Sequence, residues 1–386
     1  MSLTGQICTR GVWDESIPGI VFDKNGVSNY AKLFDRLVES YPRGEKGQTL
    51  WDSIVNHIKK EGRNNRYDCI IGVSGGTDSS YLLFLAIQYG LRPLAVNLDN
   101  GWNSDISVKN IRKMTNALNI DLETYVIDYE EIKDLMRAYM KAGLPWIDMP
   151  TDLAIKAVLY KIANRENIKY ILRGNDFRSE GTQPREWTYG DGKQLHYIHR
   201  TFGKSTLRSF PNYKLADLLY FSLVKGIKSI YPFYYLDYQK KSAQLFLQEN
   251  YKWEYYGGHH FENIFTRFVI SYWLFEKFAI DKRKISLSAQ ILSGEISRQD
   301  AINLLSEKPY EDSEKSMMLD YVLKKLDFNY EEFDYLMKSP ARSFYDYPSN
   351  YRLIDGMNYL SKPFLNRVFI HKPQSVFQAE MRKGNN

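Results

Sequence analysis

The chain has 386 residues, more than one average domain, so two domains or one domain with a large appendage are expected. Its hydrophobic content of 44% is typical of a globular protein and excludes disordered and fibrous classes. The formal net charge is +6, but Lys and Arg are scattered among Asp and Glu, which argues against a nucleic-acid partner. Only two cysteines occur, so no disulfide framework holds the fold.

The N-terminal stretch MSLTGQICTR lacks the apolar core of a secretory signal peptide. No stretch of the sequence approaches the length of a membrane span. We therefore expect a cytoplasmic protein with no membrane span.

In chain order, the sequence predicts a buried strand at residues 70–73, followed by a helix that Thr77 caps and that ends at Gly90. Strands and helices then alternate. They are the strand RPLAVNLDNG, a helix at 106–118, the strand LETYVI, a helix ending near residue 143, a helix at 152–167 capped by Thr151, and the strand KYILRGND. This alternation predicts an α/β fold with a parallel sheet flanked by helices.

From about Tyr213 onward, helical periodicity dominates, as in ADLLYFSLVKGI and FTRFVISYWLFEKF. No strand alternation of comparable length appears there. The predicted division is therefore an N-terminal segment at residues 1–60, a sheet domain at 61–212 and a mainly helical C-terminal region at 213–386.

The stretch VSGGTDSS follows the first predicted strand and opens a helix. It has neither the Lys of a Walker A loop nor the G-x-G-x-x-G of a dinucleotide fingerprint. Gly75 and Gly76 let a ligand approach the backbone, and the helix N-terminus offers oriented N–H groups. Ser74 and Ser79 add hydroxyl groups, so the loop predicts a phosphate site. Asp78 is unusual there, because its charge must be taken up by Mg²⁺ or by the loop backbone.

Two further loops follow predicted strands, NLDNG at 97–101 and RGNDF at 173–177. In open parallel sheets, ligands bind beyond the carboxyl ends of the strands. We therefore expect these two loops and VSGGTDSS to form one shared site.

The stretch VSGGTDSS resembles the PP-loop of the ATP pyrophosphatases, which include asparagine, GMP and NAD synthetases and tRNA-thiolating enzymes. In that superfamily the loop grips the pyrophosphate of ATP while the α-phosphate is transferred to a substrate oxygen. The resemblance implies ATP and Mg²⁺ as cofactors, Asp78 as a Mg²⁺ ligand, and catalytic roles for Asp78 and Ser79. The residues it implies for nucleotide binding are Ser74, Gly75, Gly76, Thr77, Asp78, Ser79, Asn97, Asp99, Gly174 and Asn175.

Segments spread over most of the chain resemble, in the same order, the bacterial N-acetyl-sugar amidotransferases of surface-polysaccharide (O-antigen and lipopolysaccharide) biosynthesis. They are IPGIVFDKNGVSNY, LRGNDFRSEG, YYGGHHFENIFTRF, EKFAIDKRK and LSAQILSGEISRQDAINLL. This resemblance implies conversion of the acetamido group of a nucleotide-linked sugar into an acetamidino group. Adenylylation of the amide oxygen would give an O-adenylyl imidate, from which ammonia displaces AMP.

Such chemistry asks the protein to orient ATP and to stabilise charge at phosphorus. Arg267, in the family-like stretch GGHHFENIFTRF, is the first candidate for a catalytic cation. Glu262, in the same stretch, is a candidate for orienting ammonia or the amide. Arg173, Lys282 and Arg283 are further cations, although such residues are more often solvated or ion-paired at the surface.

The histidines give a weaker signal. His196 and His199 lie three apart, and His259 and His260 are adjacent, but neither pair has companion ligands at metal spacing. We interpret them as hydrogen-bonded or exposed, with His259 a candidate contact for a sugar or phosphate.

Members of the resembled family carry C-x₂-C near the N-terminus and C-N-Y-C after an F-D-x-x-G turn, a zinc-ribbon ligand set. The corresponding positions here are Cys8, Gly11, Ser28 and Ala31, so no structural zinc is predicted. The N-terminal segment is then expected to be held by packing. The side chains expected to pack are Trp13, Ile17, Ile20, Val21 and Phe22.

Glutamine hydrolysis usually needs a cysteine nucleophile at a mature N-terminus or in an elbow-like turn. Neither Cys8 nor Cys69 is so placed, and a separate glutaminase subunit is therefore expected to supply ammonia. One alternative is a PP-loop ligase or thiolase acting on tRNA, which the absence of paired cysteines and of clustered basic residues weakens. The other is an inactive nucleotide-binding scaffold subunit, which the intact loop argues against.

Overall fold

The structure is a computed structural model that describes residues 3–258, 261–360 and 377–378. Five strands form one sheet in the order β3-β2-β1-β4-β5, and every neighbouring pair is parallel. The strands are β1 (Cys69–Gly72), β2 (Pro93–Asp99), β3 (Leu122–Val126), β4 (Tyr170–Leu172) and β5 (Lys228–Ile230). The predicted fold class, a parallel sheet flanked by helices with a helical C-terminal region, is confirmed.

The burial of each strand follows its place in the sheet. In the central strand β1, Cys69, Ile70 and Ile71 are fully buried, as expected for an apolar run covered on both faces. In the edge strand β3, the side chains alternate between exposed and partly buried, and Val126 is 68% exposed. The interior strands, including β1 where the Gly-rich loop begins, are therefore better protected than the edge strand β3.

Helices connect the first four strands, and α3 and α6 both pack against the sheet. Two helices precede β1. The helices up to residue 202 are α1 (Asn29–Ser40), α2 (Gly44–Gly62), α3 (Thr77–Gln88), α4 (Asp105–Ala117), α5 (Tyr129–Lys141), α6 (Met149–Arg165), α7 (Phe177–Glu180), α8 (Arg185–Thr188) and α9 (Gly192–Phe202).

The two predicted helix caps differ from the structure. Thr77 is the first residue of α3 and Gly76 occupies the cap position, while Asp148 occupies the cap position of α6 and Thr151 lies in its first turn. Both threonine hydroxyl groups have other partners: Thr77 accepts from the Gln244 amide and Thr151 from the Asn100 amide. Both threonines therefore form hydrogen bonds to other elements instead of capping a helix. Such contacts cannot be inferred from the local sequence.

Beyond residue 212 the described chain is mainly helical, but it also contributes β5, which pairs with β4 and completes the sheet. The strand has only three residues, too short to give a period-2 pattern. The division at residue 212 stays a prediction. The helices in this region are α10 (Leu215–Leu219), α11 (Lys240–Tyr251), α12 (Ile264–Phe268), α13 (Leu274–Phe278), α14 (Arg283–Leu292), α15 (Arg298–Ser306), α16 (Asp312–Lys325), α17 (Tyr330–Lys338) and α18 (Tyr351–Leu360).

The N-terminal segment packs on the core mainly as predicted. Trp13 and Ile17 are each 2% exposed, and Ile20 and Phe22 pack against the same cluster. Val21 does not: it is 48% exposed, because its backbone pairs with Asn29 while its side chain faces outward.

A buried ion pair fixes the same segment to α14. Asp14 is 0% exposed, and its carboxylate accepts a hydrogen bond from Lys284 Nζ at 2.6 Å. The Thr4 amide and the Ser16 hydroxyl also donate to this carboxylate. Burial works against its charge, but these donors together hold the pKa of Asp14 below its ordinary value.

Three of the four positions compared with a zinc-ribbon ligand set, Cys8, Ser28 and Ala31, lie close together. Ser28 N–H donates to Cys8 Sγ at 3.3 Å, and the Ser28 hydroxyl accepts from Ala31 N–H as the cap of α1. Among the described residues, no group of three or more His, Cys, Asp or Glu could hold a metal ion. The absence of a structural zinc stays a prediction.

Within the described residues, no helix is both long enough and apolar enough to cross a membrane.

Candidate functional site

A cavity of about 800 Å³ lies at the carboxyl ends of the strands. All three loops singled out in the sequence contribute to it, together with residues that follow β5. The lining residues from these loops are Ser74, Gly76, Asp78 and Ser79 after β1, Asn97, Leu98 and Asn100 at β2, Arg173, Gly174 and Asn175 after β4, and Ser229 and Tyr231 at β5. The parallel sheet thus brings the loops to one site, as the strand-end argument predicts.

Gly75 and Gly76 are needed for the shape of the loop. Gly75 has a φ of +76°, and a Cβ there would collide with the backbone of Ser107 at the start of α4. A Cβ on Gly76 would lie 3.0 Å from Glu262 Oε1 and 3.1 Å from the Tyr256 hydroxyl oxygen. The glycines therefore let α4 and two polar side chains approach the loop backbone.

Gly174 joins the loop after β4 to the start of α3. A Cβ on Gly174 would lie 3.1 Å from the backbone carbonyl carbon of Asp78. The close approach of the two backbones keeps the two strand-end loops at a fixed spacing. Any side chain at this position would have to push them apart.

The two serines of the loop hold its backbone. Ser79 Oγ accepts from Ser74 N–H and donates to the Gly76 carbonyl, each at 3.3 Å. Ser74 Oγ accepts from Gly76 N–H at 3.3 Å and donates to Glu262 Oε1 at 3.1 Å. The hydroxyl groups thus face both the loop amides and the cavity, where they could also reach a phosphate.

A segment from far along the chain covers the start of α3. The Tyr256 hydroxyl accepts a hydrogen bond from Thr77 N–H at 3.2 Å, and Trp253 Nε1 donates to the Gly75 carbonyl at 3.1 Å. An N–H group in the first turn of a helix is the group that binds phosphate in such loops. Tyr256 therefore occupies one donor that an incoming phosphate would use.

Both oxygens of the Asp78 carboxylate have partners in the structure. Oδ1 accepts from the Tyr238 hydroxyl, and Oδ2 lies 2.7 Å from Lys240 Nζ. Burial opposes the charge of Lys240, but the Asp78 carboxylate outweighs it and raises the pKa of the lysine above its ordinary value. The sequence predicts Mg²⁺ or the loop backbone as the group that takes up the charge of Asp78, whereas in the structure its partners are Tyr238 and Lys240.

The predicted residues at β2 divide between cavity and exterior. Asn97 lines the cavity and is 7% exposed. Asp99 does not line it; its Oδ1 accepts from Gly101 N–H at 2.8 Å and shapes the turn after the strand. Asn100, one residue on, lines the cavity and donates to the Thr151 hydroxyl.

After β4, Arg173 and Asn175 both line the cavity. Arg173 Nε donates to the Ser229 hydroxyl at 3.2 Å, which ties it to β5. Asn175 Nδ2 donates to Glu180 Oε2 at 3.2 Å. Asp176 lies below the cavity floor, 1% exposed, and pairs with Arg43 at 3.2 Å.

The structure separates the two candidates from the GGHHFENIFTRF stretch. Glu262 lines the cavity beside the loop. Arg267 is not among the cavity residues: its guanidinium pairs with Glu314 and stacks over Phe261, 4.7 Å from the ring centroid. Glu262 lies in the turn before α12, whereas Arg267 lies on the helix itself, so the two side chains of this stretch have different surroundings.

The other cations also separate. Lys282 lines the cavity, with its Nζ 4.1 Å from the centroid of the Trp146 ring. Arg283 is turned away and pairs with Asp281 at 2.7 Å. The catalytic roles of all these residues stay predictions.

Of the histidines, His199 Nε2 lies 3.0 Å from the Asp134 carboxylate, away from the cavity. His196 makes no contact with the cavity. His259 and His260 lie outside the described residues.

Several cavity residues were not predicted from the sequence. They include Trp146, Asp148, Asp152, Lys156, Tyr231, Tyr234, Lys240 and Tyr256. One available signal was the spacing of four between Asp148, Asp152 and Lys156, which places three charged residues on one face of α6.

Residues 262–360, about a quarter of the chain, match the family described as the C-terminal domain of WbpG-like LPS biosynthesis proteins. No curated protein matches the sequence.

Solved structures with some likeness include the NMN synthetase of Francisella tularensis, with 14% identity, a TM-score of 0.32, and coverage of 81% of this chain and 97% of that one. The NH3-dependent NAD synthetase of Campylobacter jejuni has 14% identity and a TM-score of 0.32, covering 76% and 97%. A U34-tRNA thiolase of Methanococcus maripaludis has 13% identity and a TM-score of 0.30, covering 76% and 89%. These identities and TM-scores are low, and the fold class follows instead from the parallel five-stranded sheet.

Proposed function

We propose that this chain is an ATP-dependent, AMP- and pyrophosphate-forming ligase of surface-polysaccharide biosynthesis. Its proposed reaction converts the acetamido group of a nucleotide-linked N-acetyl sugar into an acetamidino group. The observation that carries the proposal is the SGGTDSS loop, which opens α3 beneath a cavity of about 800 Å³ at the strand ends. The match of residues 262–360 to an LPS-biosynthesis domain supports the proposed place in surface-polysaccharide biosynthesis.

The start of α3 is the proposed site of the β- and γ-phosphates of ATP. The N–H groups of its first turn are oriented donors, and the hydroxyls of Ser74 and Ser79 lie beside them. Lys240 adds a positive charge next to Asp78. Together these groups would stabilise pyrophosphate as it leaves.

In the first step, the amide oxygen attacks the α-phosphorus while the bond from that phosphorus to the bridging oxygen of the pyrophosphate breaks. In the second, ammonia attacks the imidate carbon and loses a proton, and AMP departs with the former amide oxygen. The cavity's contribution is to hold the amide oxygen in line with the α-phosphorus. Glu262, in the cavity wall beside Ser74, is the proposed acceptor that orients ammonia or the amide N–H.

The carboxylates of Asp78 and Glu262 are oxygen donors of the kind that Mg²⁺ prefers, and Mg²⁺ commonly uses one or two carboxylates plus substrate phosphates. These two residues would hold an ion that enters with ATP, for which Asp78 would exchange its contacts with Tyr238 and Lys240. When bound, the ion would neutralise charge on the phosphates.

A separate glutaminase subunit is the proposed source of ammonia. Cys8 and Cys69 are the only cysteines, and both are buried. Burial raises the pKa of the Cys69 thiol far above its ordinary value, which suits a structural thiol rather than a nucleophile. The same burial argues against a thiolase acting on tRNA.

The test incubates the full chain with ATP, Mg²⁺, ammonium at high pH and a panel of UDP-N-acetyl sugars. AMP and an amidino sugar nucleotide are expected with the correct sugar, and glutamine alone should give neither. Formation of ADP instead of AMP would overturn the assignment. Amidine formation from glutamine alone would overturn the partner glutaminase.

A further inference from the structure

Two lysines line the cavity without a partner for their ammonium groups. Lys156 lies on α6, and Lys282 occupies the cap position of α14. Within the part of the chain that the structure describes, neither ammonium has a hydrogen bond or an ion pair. Lys282 Nζ lies over the face of the Trp146 ring, 4.1 Å from the ring centroid.

The nearby carboxylates do not neutralise these lysines by direct contact. Asp152 Oδ2 accepts from the Trp146 indole N–H at 2.8 Å, and Asp148 Oδ2 accepts from the Thr266 hydroxyl at 2.5 Å. Asp152 lies one helical turn before Lys156 on the same face of α6, yet no salt bridge joins the two. The carboxylates thus position neighbouring side chains, while the ammonium groups face the cavity.

An ammonium that leaves water without a partner carries a desolvation cost. Burial accordingly lowers the pKa of Lys282 to about 8 and lowers that of Lys156, even though Asp152 attracts both. A bound anion would restore the interactions that both groups lack. Two ammonium groups in one wall suit an anion with more than one charged oxygen.

ATP alone does not account for this wall. In the proposed function, the pyrophosphate of ATP has the N–H groups at the start of α3 as donors and Lys240 as a cation, and both lie beside the loop. The cavity volume of about 800 Å³ lies toward the upper end of the range for one small ligand. Space and charge are therefore present for part of a second phosphorylated molecule.

We propose that Lys156 and Lys282 form a second anion subsite, which binds the diphosphate of the nucleotide-linked sugar. The identity of this ligand and the presence of ATP at the loop rest on the proposed function, whereas the two ammonium groups that line the cavity do not. Bound there, the diphosphate would leave the sugar and its acetamido group between the two lysines and the loop, where ATP must meet the amide oxygen.

The test uses isothermal titration of the full chain, first saturated with α,β-methylene-ATP and Mg²⁺ and then titrated with inorganic pyrophosphate. The parent should bind one further pyrophosphate. Lys156→Met and Lys282→Met should each weaken this second binding at least about tenfold and leave binding of the ATP analogue unchanged. Lys161→Met, an exposed lysine on the same helix, is the matched control and should behave as the parent.

The subsite would be overturned if the parent, saturated with the ATP analogue, bound no inorganic pyrophosphate. It would also be overturned if both lysine variants bound inorganic pyrophosphate as tightly as the parent does. Weaker binding of the ATP analogue in these variants, with pyrophosphate unaffected, would assign the lysines to ATP and overturn it as well. Thermal unfolding of each variant shows whether it has folded, and loss of an unpaired charge should not lower its stability.

Competition then tests the identity of the ligand. UDP-N-acetylglucosamine and other UDP-N-acetyl sugars should displace the second pyrophosphate in the parent. A lysine-dependent pyrophosphate site that no sugar nucleotide enters would overturn the assignment to a nucleotide-linked sugar. If a sugar nucleotide enters this site but no AMP forms, the proposed function fails while the subsite stands.

Discussion

The two walls of the cavity are built in different ways. The loop wall (residues 72–79) comes from one continuous stretch between β1 and α3. The opposing wall is assembled from positions far apart in the chain. Its residues include Trp146, Lys156, Tyr231, Tyr234, Thr266 and Lys282, and it is joined to the loop by hydrogen bonds of Tyr256 and Glu262. Under the proposed function, the loop wall would bind the phosphates of ATP and the opposing wall would select the substrate.

The largest expected effect comes from the point where the two walls meet, the Asp78–Lys240 pair. Asp78→Ala should abolish AMP formation and also lower the stability of the fold, because it leaves a largely buried ammonium without its carboxylate. Ser79→Ala removes only a hydroxyl and should reduce AMP formation by about a hundredfold or more with little change in melting temperature. AMP release and thermal unfolding, measured on both variants, separate the two effects.

Lys240→Met in the Asp78→Ala background is the control for this interpretation. Removing both charges should recover much of the lost stability but none of the activity. If Asp78→Ala has the same melting temperature as Ser79→Ala, the Asp78–Lys240 ion pair does not stabilise the fold as proposed. Substantial AMP formation by Ser79→Ala would contradict the proposed role of the loop in the reaction.

The sequence was sufficient for the loop wall because its features are local. A buried strand, two glycines and a helix start follow each other within ten residues, and the parallel sheet brings Asn97 and Gly174 to the same edge. The predictions that Thr77 and Thr151 cap helices were wrong for a different reason. In both cases a residue with good capping chemistry contacts a side chain from another element instead, Gln244 and Asn100 respectively.

The opposing wall could not be predicted in the same way. Lys240, the first residue of α11, reaches the loop where α11 packs against α3, and Tyr256 reaches it from the segment that follows α11. Helical periodicity shows which face of a helix is apolar but not which helix it meets. Arg267 and Glu262 illustrate the limit: one family-like stretch contains both, and only the second lines the cavity.

The next largest effect concerns the attachment of the opposing wall to the N-terminal segment. Lys284 lies two residues after Lys282 and pairs with the buried Asp14. Lys284→Met should lower the free energy of unfolding by about 3 kcal/mol or more, because it leaves a buried carboxylate without its cation. Lys308→Met, which removes an exposed pair with Asp312, should cost about 1 kcal/mol or less. Chemical denaturation of both variants gives the comparison.

The same pair predicts a pH dependence with a definite sign. Since the folded pKa of Asp14 lies below its ordinary value of 3.8, the unfolded state binds the proton first. The stabilisation is therefore present above about pH 3.8 and is lost as pH falls through the lower folded pKa. The parent should lose stability on acidification more steeply than Asp14→Asn/Lys284→Met. Equal acid sensitivity of the two proteins would contradict the ion pair.

A smaller effect is expected where the opposing wall covers the loop. Tyr256→Phe frees the Thr77 N–H without removing the ring, so α,β-methylene-ATP should bind several-fold more tightly, corresponding to about 1 kcal/mol for one hydrogen bond. Titration calorimetry measures the change, with Tyr255→Phe at an exposed neighbouring tyrosine as the control. Weaker binding by Tyr256→Phe would mean that the hydroxyl contacts the phosphates instead of competing with them.

The smallest effect is expected at Arg267, whose guanidinium pairs with Glu314 outside the cavity, with the two side chains 31% and 52% exposed. Arg267→Ala should lower stability by about 1 kcal/mol or less and leave AMP formation close to that of the parent. Glu314→Ala removes the other partner of the same ion pair, and it should match Arg267→Ala in both stability and AMP formation. A loss of AMP formation near a hundredfold in Arg267→Ala alone would place the guanidinium at the phosphates during the reaction. The opposing wall would then have to rearrange when ATP binds, because Glu314 holds Arg267 away from the loop in the present arrangement.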